Sequence, residues 1–147
     1  MISGFRIAPA TALSAGMEQL RSEAIGHGHR FVDRLIEDWI AGSNRFERPG
    51  ERFLGAFAKD ELVGVCGLNR DPYVEQDTIG RLRHLYVLAP ARRCGVGAAL
   101  VHWLLDDARG VFDAVRLRTT PEAAAFYLRL GFVPVEDKTA SHVMMLR

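Results

Sequence analysis

Cysteine is scarce in this chain. Cys66 and Cys94 are the only two among 147 residues, and they stand in unrelated contexts. So sparse a count argues against a disulfide framework and fits free thiols in a reducing compartment. No cysteine–histidine grouping has zinc spacing. His27 and His29 lack further ligands, so a solvated turn is expected there and no metal is. Long apolar runs are missing too, and the N-terminus shows no basic stretch followed by an apolar segment, which together point to a cytoplasmic protein. Nor is one sign of charge in excess: 19 Lys and Arg stand against 18 Asp and Glu, for a net charge of +1. A nucleic-acid binder normally shows a basic excess or stripe, so neither nucleic acid nor a membrane is an expected partner.

What is present describes an ordinary globular chain: 48% of residues are hydrophobic and 25% charged. Its length suits one domain over residues 1–147, with no repeat or low-complexity tract. A short strand at Phe5-Arg6-Ile7 is closed by Pro9. Leu13, Met17, Leu20 and Ala24 then recur at helical spacing, with Thr11 or Ser14 available as a cap. Gly26-His27-Gly28-His29 breaks that helix, and Val32, Leu35, Ile36, Trp39 and Ile40 form the apolar face of a second. The period then changes. Residues 52–58 and 62–68 read as two strands joined by a tight turn, and residues 79–88 as a third. Gly64 and Gly67 are poor strand residues, which suggests a kink or a close neighbour. Helical spacing returns over residues 95–109, a strand follows at 115–119, and Pro121 with Glu122 opens another helix that Gly131 stops. Strands at 132–135 and 142–146 finish the order β-α-α-β-β-β-α-β-α-β-β. Strands and helices are mixed, so the expected class is α/β or α+β with a mixed sheet.

The stretch from Leu85 to Leu100 is the most informative. It reads as a strand, a basic turn Arg92-Arg93-Cys94-Gly95-Val96-Gly97, then a strong helix. The first amides of a helix have no internal partner and sit in its positive dipole field, and glycines let a phosphate approach them. A dinucleotide fingerprint would need a third glycine where Leu100 stands, and a Walker loop would need Lys followed by Ser or Thr after Gly97. Taken alone, the turn indicates an anion at a helix N-terminus, or glycines that only let a helix pack closely on a sheet.

Arg92-x-x-Gly95-x-Gly97 resembles the pyrophosphate loop of the GNAT superfamily of acyl-CoA-dependent N-acyltransferases. Leu85-Tyr86-Val87 looks like that family's central strand. The run from Ala123 through Phe126-Tyr127 to Gly131-Phe132 looks like its later helix and following strand, and the order of elements agrees along nearly the whole chain. The resemblance implies a single domain with about seven strands in a mixed sheet flanked by about four helices. It also implies acetyl-CoA as co-substrate. A bulge would splay the central strand from its neighbour. Backbone groups of Leu85, Tyr86 and Val87 would pair with the pantetheine arm, with the amide near Val87 polarising the thioester carbonyl. Amides of Arg93, Cys94, Gly95, Val96, Gly97 and Ala98 would hold the pyrophosphate beside Arg92. Thr120 stands where the family often has an asparagine that touches the cofactor arm, and its hydroxyl has shorter reach.

The family's chemistry is direct transfer to an amine, so Cys94 is expected to act through its backbone and not as a nucleophile. Tyr127 occupies the family's general-acid position, where its hydroxyl would protonate the departing sulfur; otherwise it joins Ala123, Phe126 and Leu130 in a buried face. No base is evident. Counting back from Val87, the strand positions facing the acceptor are Arg83 and Arg81, while alternation points His84 to the opposite face. Asp71, Glu75 or water remain open as bases. The two arginines suggest an acceptor bearing a carboxylate or phosphate, unless they form salt bridges. His29 and Arg30 lie where the family binds its acceptor. The expected partner is a small-molecule or protein amine, and the sheet edge near the C-terminal strands allows a homodimer. A different acyl-CoA donor, or a non-catalytic acyl-CoA sensor of the same fold, is the alternative.

Overall fold

A computed structural model describes residues 4–146; the ends of the expected domain, residues 1–3 and 147, lie outside the described residues. Its order is β1 (Arg6–Pro9), α1 (Met17–Gly26), α2 (Phe31–Ala41), β2 (Arg52–Ala58), β3 (Glu61–Arg70), β4 (Ile79–Val87), α3 (Val96–Ala108), β5 (Ala114–Leu117), α4 (Pro121–Arg129), β6 (Val133–Pro134) and β7 (His142–Met145), with a single 3₁₀ turn at Ala89–Ala91. The strands form one seven-stranded sheet in the order β1-β2-β3-β4-β5-β7-β6. Every neighbouring pair is antiparallel except β4 and β5. Lys59 and Asp60 both adopt positive φ, 50° and 67°, the left-handed pair that a two-residue hairpin between β2 and β3 requires. None of the described helices is long and apolar enough to cross a membrane.

Two apolar layers cover the sheet. On one face α3 buries Leu100, Val101, Leu104, Leu105 and Ala108 against Leu54, Cys66, Leu68, Leu82 and Val115. On the other, α1 and α2 bury Met17, Leu20, Ala24, Val32 and Leu35 against Phe46, Phe53, Val65 and Tyr86. The missing side chain of Gly67 makes room in this second layer. A Cβ there would lie 2.4 Å from the Phe46 ring, so the ring occupies the space that any other residue would fill.

Three expectations about local structure need correction. Helix α1 begins at Met17, preceded by Gly16 and without a side-chain cap. The expected caps are used earlier: Ser14 Oγ accepts from Thr11 N at 2.9 Å and Thr11 Oγ1 from Leu13 N at 3.1 Å, closing a turn in place of a helical one. Leu13 and Ile40, assigned to buried faces by their spacing, are more than half exposed at 61% and 64%. The last two strands are shorter than expected, Val133–Pro134 and His142–Met145.

Candidate active site

The central strand is split along its length. At its start β4 pairs with β5 through only three registers, Ile79 with Ala114, Gly80 with Val115 and Arg81 with Arg116. Beyond Arg81 no pairing joins the two strands, although β4 continues to Val87. On the other side the β3 register jumps from Gly67 opposite Arg83 to Val65 opposite Tyr86, so His84 and Leu85 together oppose Cys66. His84 takes φ 62°, the left-handed conformation typical of such a bulge. Splaying follows, because the bulge bends β4 while β5 ends at Leu117. Leu88 donates to Val63 on β3 at 2.8 Å, so by alternation the amide of Val87 turns toward the open side.

The bulge also overturns an expectation for His84. Simple alternation put it on the face opposite Arg83, but a bulge suspends alternation. His84 packs on Phe46 at 6.2 Å between ring centroids and on Phe31 at 6.2 Å, in the layer that also holds Tyr86. Phe46 is the ring seated over Gly67, the register partner of Arg83, so both side chains share that face. The His84 Nε2 is buried with no hydrogen-bond partner among the described residues. Burial, reinforced by the charges of Arg83 and Arg34, pushes its pKa down to about 3, and the ring is neutral at ordinary pH.

At the top of β4 the basic turn opens α3. Gly95 precedes the helix at φ 82°, a conformation that glycine adopts without the Cβ penalty, and Arg93 also has positive φ. Within the described residues none of the amides of residues 93–98 donates to a protein acceptor, and the first bond into the helix runs from Ala99 to Gly95 at 3.0 Å. A row of free amides at a helix start fits an anion. Arg92 is placed differently from its neighbours. Its Nε donates to the Val87 carbonyl at 2.9 Å, and its Nη2 lies 3.2 Å from the Tyr86 hydroxyl and 3.5 Å from Glu23. Glu23 accepts from Tyr86 at 2.7 Å and from the Ala89 amide at 3.1 Å. Burial alone would raise the Glu23 carboxyl, but these donors and the Arg92 charge carry it below its usual value. Tyr86 is pushed up to about 12, first by burial and then by donating to Glu23. Arg92 therefore braces the turn against α1 and already occupies the Val87 carbonyl. Sequence gave no signal for Glu23, which meets Tyr86 across 63 positions.

A cleft of about 870 Å³ runs along the split, lined by Leu85, Tyr86 and Val87, by the turn, and by Thr120, Phe126 and Tyr127 across from them. Cys94 is half-buried beside it, with its Sγ 3.4 Å from the Arg92 carbonyl. Tyr127 packs edge-on against Phe126 at 5.0 Å and Phe132 at 5.9 Å between centroids. The ring packs against the core, and the residue also lines the cleft. Burial, with a smaller contribution from Cys66, raises the Tyr127 phenol well above its ordinary value, so it keeps its proton. Thr120 precedes α4 without a capping bond, which leaves its hydroxyl free to serve the cleft.

The expected acceptor residues separate. Arg81 is buried: its Nη1 lies 3.3 Å from Asp71 and its Nη2 donates to the Thr139 carbonyl at 2.6 Å. The Arg116 Nε sits 3.2 Å from the same Asp71 oxygen, an ion pair without an aligned hydrogen bond. Asp71 is thus enclosed between two guanidiniums with its side chain 0% exposed, and neither it nor Glu75 lines the cleft, which removes both as candidate bases. Arg83 reaches the cleft with only a 3.4 Å contact to Asn69. His29 lines the cleft and Arg30 does not. Arg34, Arg118 and Arg129, which spacing did not single out, line it as well.

The chain matches the model of the Acetyltransferase (GNAT) family over residues 15–132. Among solved structures it is similar to a protein of Exiguobacterium sp. 255-15 assigned as an acetyltransferase, with 25% identity, a TM-score of 0.84, and coverage of 97% of this chain and 93% of that one. An N-acetyltransferase of Staphylococcus aureus Mu50 shares the fold at 13% identity and a TM-score of 0.74, over 99% of this chain and all of that one. So does yncA of Salmonella typhimurium, solved with its cofactor acetyl-CoA, at 15% identity and a TM-score of 0.70, over 97% and 94%. No curated protein matches in sequence. The split strand, the free amides and the family match lead to one conclusion: this chain belongs to the GNAT family of acetyltransferases and is an acyltransferase.

Proposed function

We propose that this chain is an N-acetyltransferase that passes the acetyl group of acetyl-CoA directly to a primary amine. The observation that carries the reading is the coincidence of the unpaired upper half of β4 with the row of free amides at residues 93–98, at one end of the same cleft. These groups fit the co-substrate: an arm with amide groups can pair along the open strand edge, and a pyrophosphate can sit on the helix start. Acetyl-CoA supplies the activated thioester when bound. The Val87 amide polarises the thioester carbonyl, where negative charge develops in the transition state. Tyr127 keeps its phenolic proton until it can deliver it to the departing sulfur. No aspartate or glutamate among the described residues lines the cleft, and in this reading the amine gives its proton to water. Cys94 acts through its backbone, and Thr120 steadies the arm with its free hydroxyl.

Thermal unfolding with acetyl-CoA, followed by thiol release across a panel of amines, tests this. At a hundredfold excess over Kd a ligand specific to the folded state stabilises by about 2.7 kcal/mol. Absence of any shift overturns acetyl-CoA binding. A shift without thiol release from any amine supports the sensor alternative, and release from another acyl-CoA alone redefines the donor.

A further inference from the structure

The arginines of this fold differ in their partners. Those that serve architecture come with a carboxylate: Arg81 and Arg116 with Asp71, Arg92 with Glu23. Arg34, Arg83, Arg93, Arg118 and Arg129 line the cleft with no carboxylate partner among the described residues. Arg93 belongs to the turn before α3, Arg118 precedes α4 and Arg129 ends it, which leaves Arg83 on β4 and Arg34 on α2 at the α2 side. His84 lines the same cleft, and both charges act on its ring. Among the described residues, seven arginines and no aspartate or glutamate line the cleft, in a chain whose formal net charge is only +1. Random scatter of balanced charges does not segregate in this way.

Position separates this pair from the donor's phosphates. The free amides lie beyond the C-terminal end of β4, whereas Arg83 sits four residues before Val87. At the usual strand rise, shortened by the bulge, that places Arg83 on the order of 10 Å from Val87 in the opposite direction. Phe31, at the start of α2, stacks between His29 and His84 and supplies an apolar wall there.

We propose that the acceptor amine carries an anionic group, a carboxylate or a phosphate, and that Arg83 with Arg34 holds it at the α2 side of the cleft. The inference rests on the acetyl-transfer reading and narrows its substrate. Guanidiniums favour such groups because their planar donors pair with two oxygens at once. Polyamines and lysine-rich segments are disfavoured, because they would bring like charge into a cleft with no carboxylate to receive it. The neutral His84 ring adds a polar group without adding charge.

The test uses matched acceptors with saturating acetyl-CoA: L-amino acids against their amides, phosphoethanolamine against ethanolamine, and spermidine. Binding to the CoA-loaded protein is measured by calorimetry in parallel. An anionic acceptor is expected to exceed its neutral counterpart by roughly tenfold or more in kcat/KM. Arg83→Gln should raise the KM of that acceptor about tenfold, erase the preference and leave the KM for acetyl-CoA unchanged, with Arg34→Gln doing the same to a lesser degree. Whether the amino acid or the phosphate series responds identifies the anion. Equal use of neutral amines, preference for spermidine, or a preference that survives Arg83→Gln overturns the proposal. If nothing is acetylated but anionic amines still bind in an Arg83-dependent way, the anion site stands and the transfer reading fails. If nothing is acetylated and no anionic amine binds better than its neutral partner, both fail.

Discussion

The two halves of β4 treat polar groups in opposite ways. In the lower half, from Ile79 to Arg81, the strand is closed against both neighbours, and its buried guanidinium is matched by Asp71. In the upper half the edge facing β5 is open, and among the described residues a buried histidine nitrogen has no hydrogen-bond partner and Arg83 no carboxylate. The pairing with β5 ends between them at Arg81, and the bulge lies within the upper half. The closed half matches its buried charge, because leaving one unpaired is costly. The open half is left unsatisfied where a ligand can complete it.

The contrast can be broken most severely from the closed side. Asp71→Ala leaves Arg81 and Arg116 buried around an absent charge, and removing one partner of such a pair destabilises by about 3–5 kcal/mol. Urea unfolding measures it. On the open side, two residues further along the same strand, Arg83→Gln should change stability by less than about 1 kcal/mol. Equal losses at both positions would show that Arg83 is architectural after all.

Next in size is Tyr127→Phe. Loss of a general acid lowers turnover by about a hundredfold or more. The ring's packing against Phe126 and Phe132 is kept, so acetyl-CoA should bind as before. Full turnover with the phenylalanine variant would remove Tyr127 from the chemistry and leave it as core alone.

A smaller effect is expected with pH. His84 is neutral when folded, with its pKa held at about 3, whereas an unfolded histidine takes a proton near pH 6.5. Below that point the unfolded state binds a proton that the folded state refuses. The stability is present above pH 6.5 and is lost as pH falls toward 3. His84→Asn tolerates the left-handed backbone and cannot titrate, so it should flatten the slope of unfolding free energy between pH 7 and pH 5. An unchanged slope would mean that His84 is solvated.

The mildest perturbation compares the cysteines. Burial raises the Cys66 thiol far above its ordinary range, and it is fully enclosed. A maleimide should label Cys94 and spare Cys66, and acetyl-CoA should slow the labelling severalfold by covering the turn. Labelling of Cys94 that ignores acetyl-CoA would place the co-substrate elsewhere.

The regular half of this architecture was legible in the residues themselves. The strands of the hairpin were legible as continuous apolar runs and the helix after the turn by its apolar period. Gly64 and Gly67 announced close neighbours, and the neighbours are there: the Phe46 ring at Gly67, Val96 and Leu100 at Gly64. The turn announced itself by its two glycines before an uninterrupted helix. The bulge did not, since a single left-handed residue in a strand changes no composition. Once it shifts the register, every side-chain direction before it must be counted again: His84 stays on the face of Tyr86, and Arg83 is the residue that changes faces relative to Val87. Asp71 and Glu23 were illegible for another reason. Both act through partners far along the chain, and Asp71, open as a base in sequence, is enclosed by Arg81 and Arg116. Thr11 and Ser14 had the chemistry of caps but spent it one turn early.

Amide hydrogen exchange with and without acetyl-CoA tests the central claim most directly, because it reads the unsatisfied groups themselves. The account predicts new protection confined to the amides of residues 93–98 and to Val87 on the open edge, with little change at the closed start of β4. Unchanged exchange at those amides with saturating acetyl-CoA, or protection centred on another part of the sheet, would contradict it.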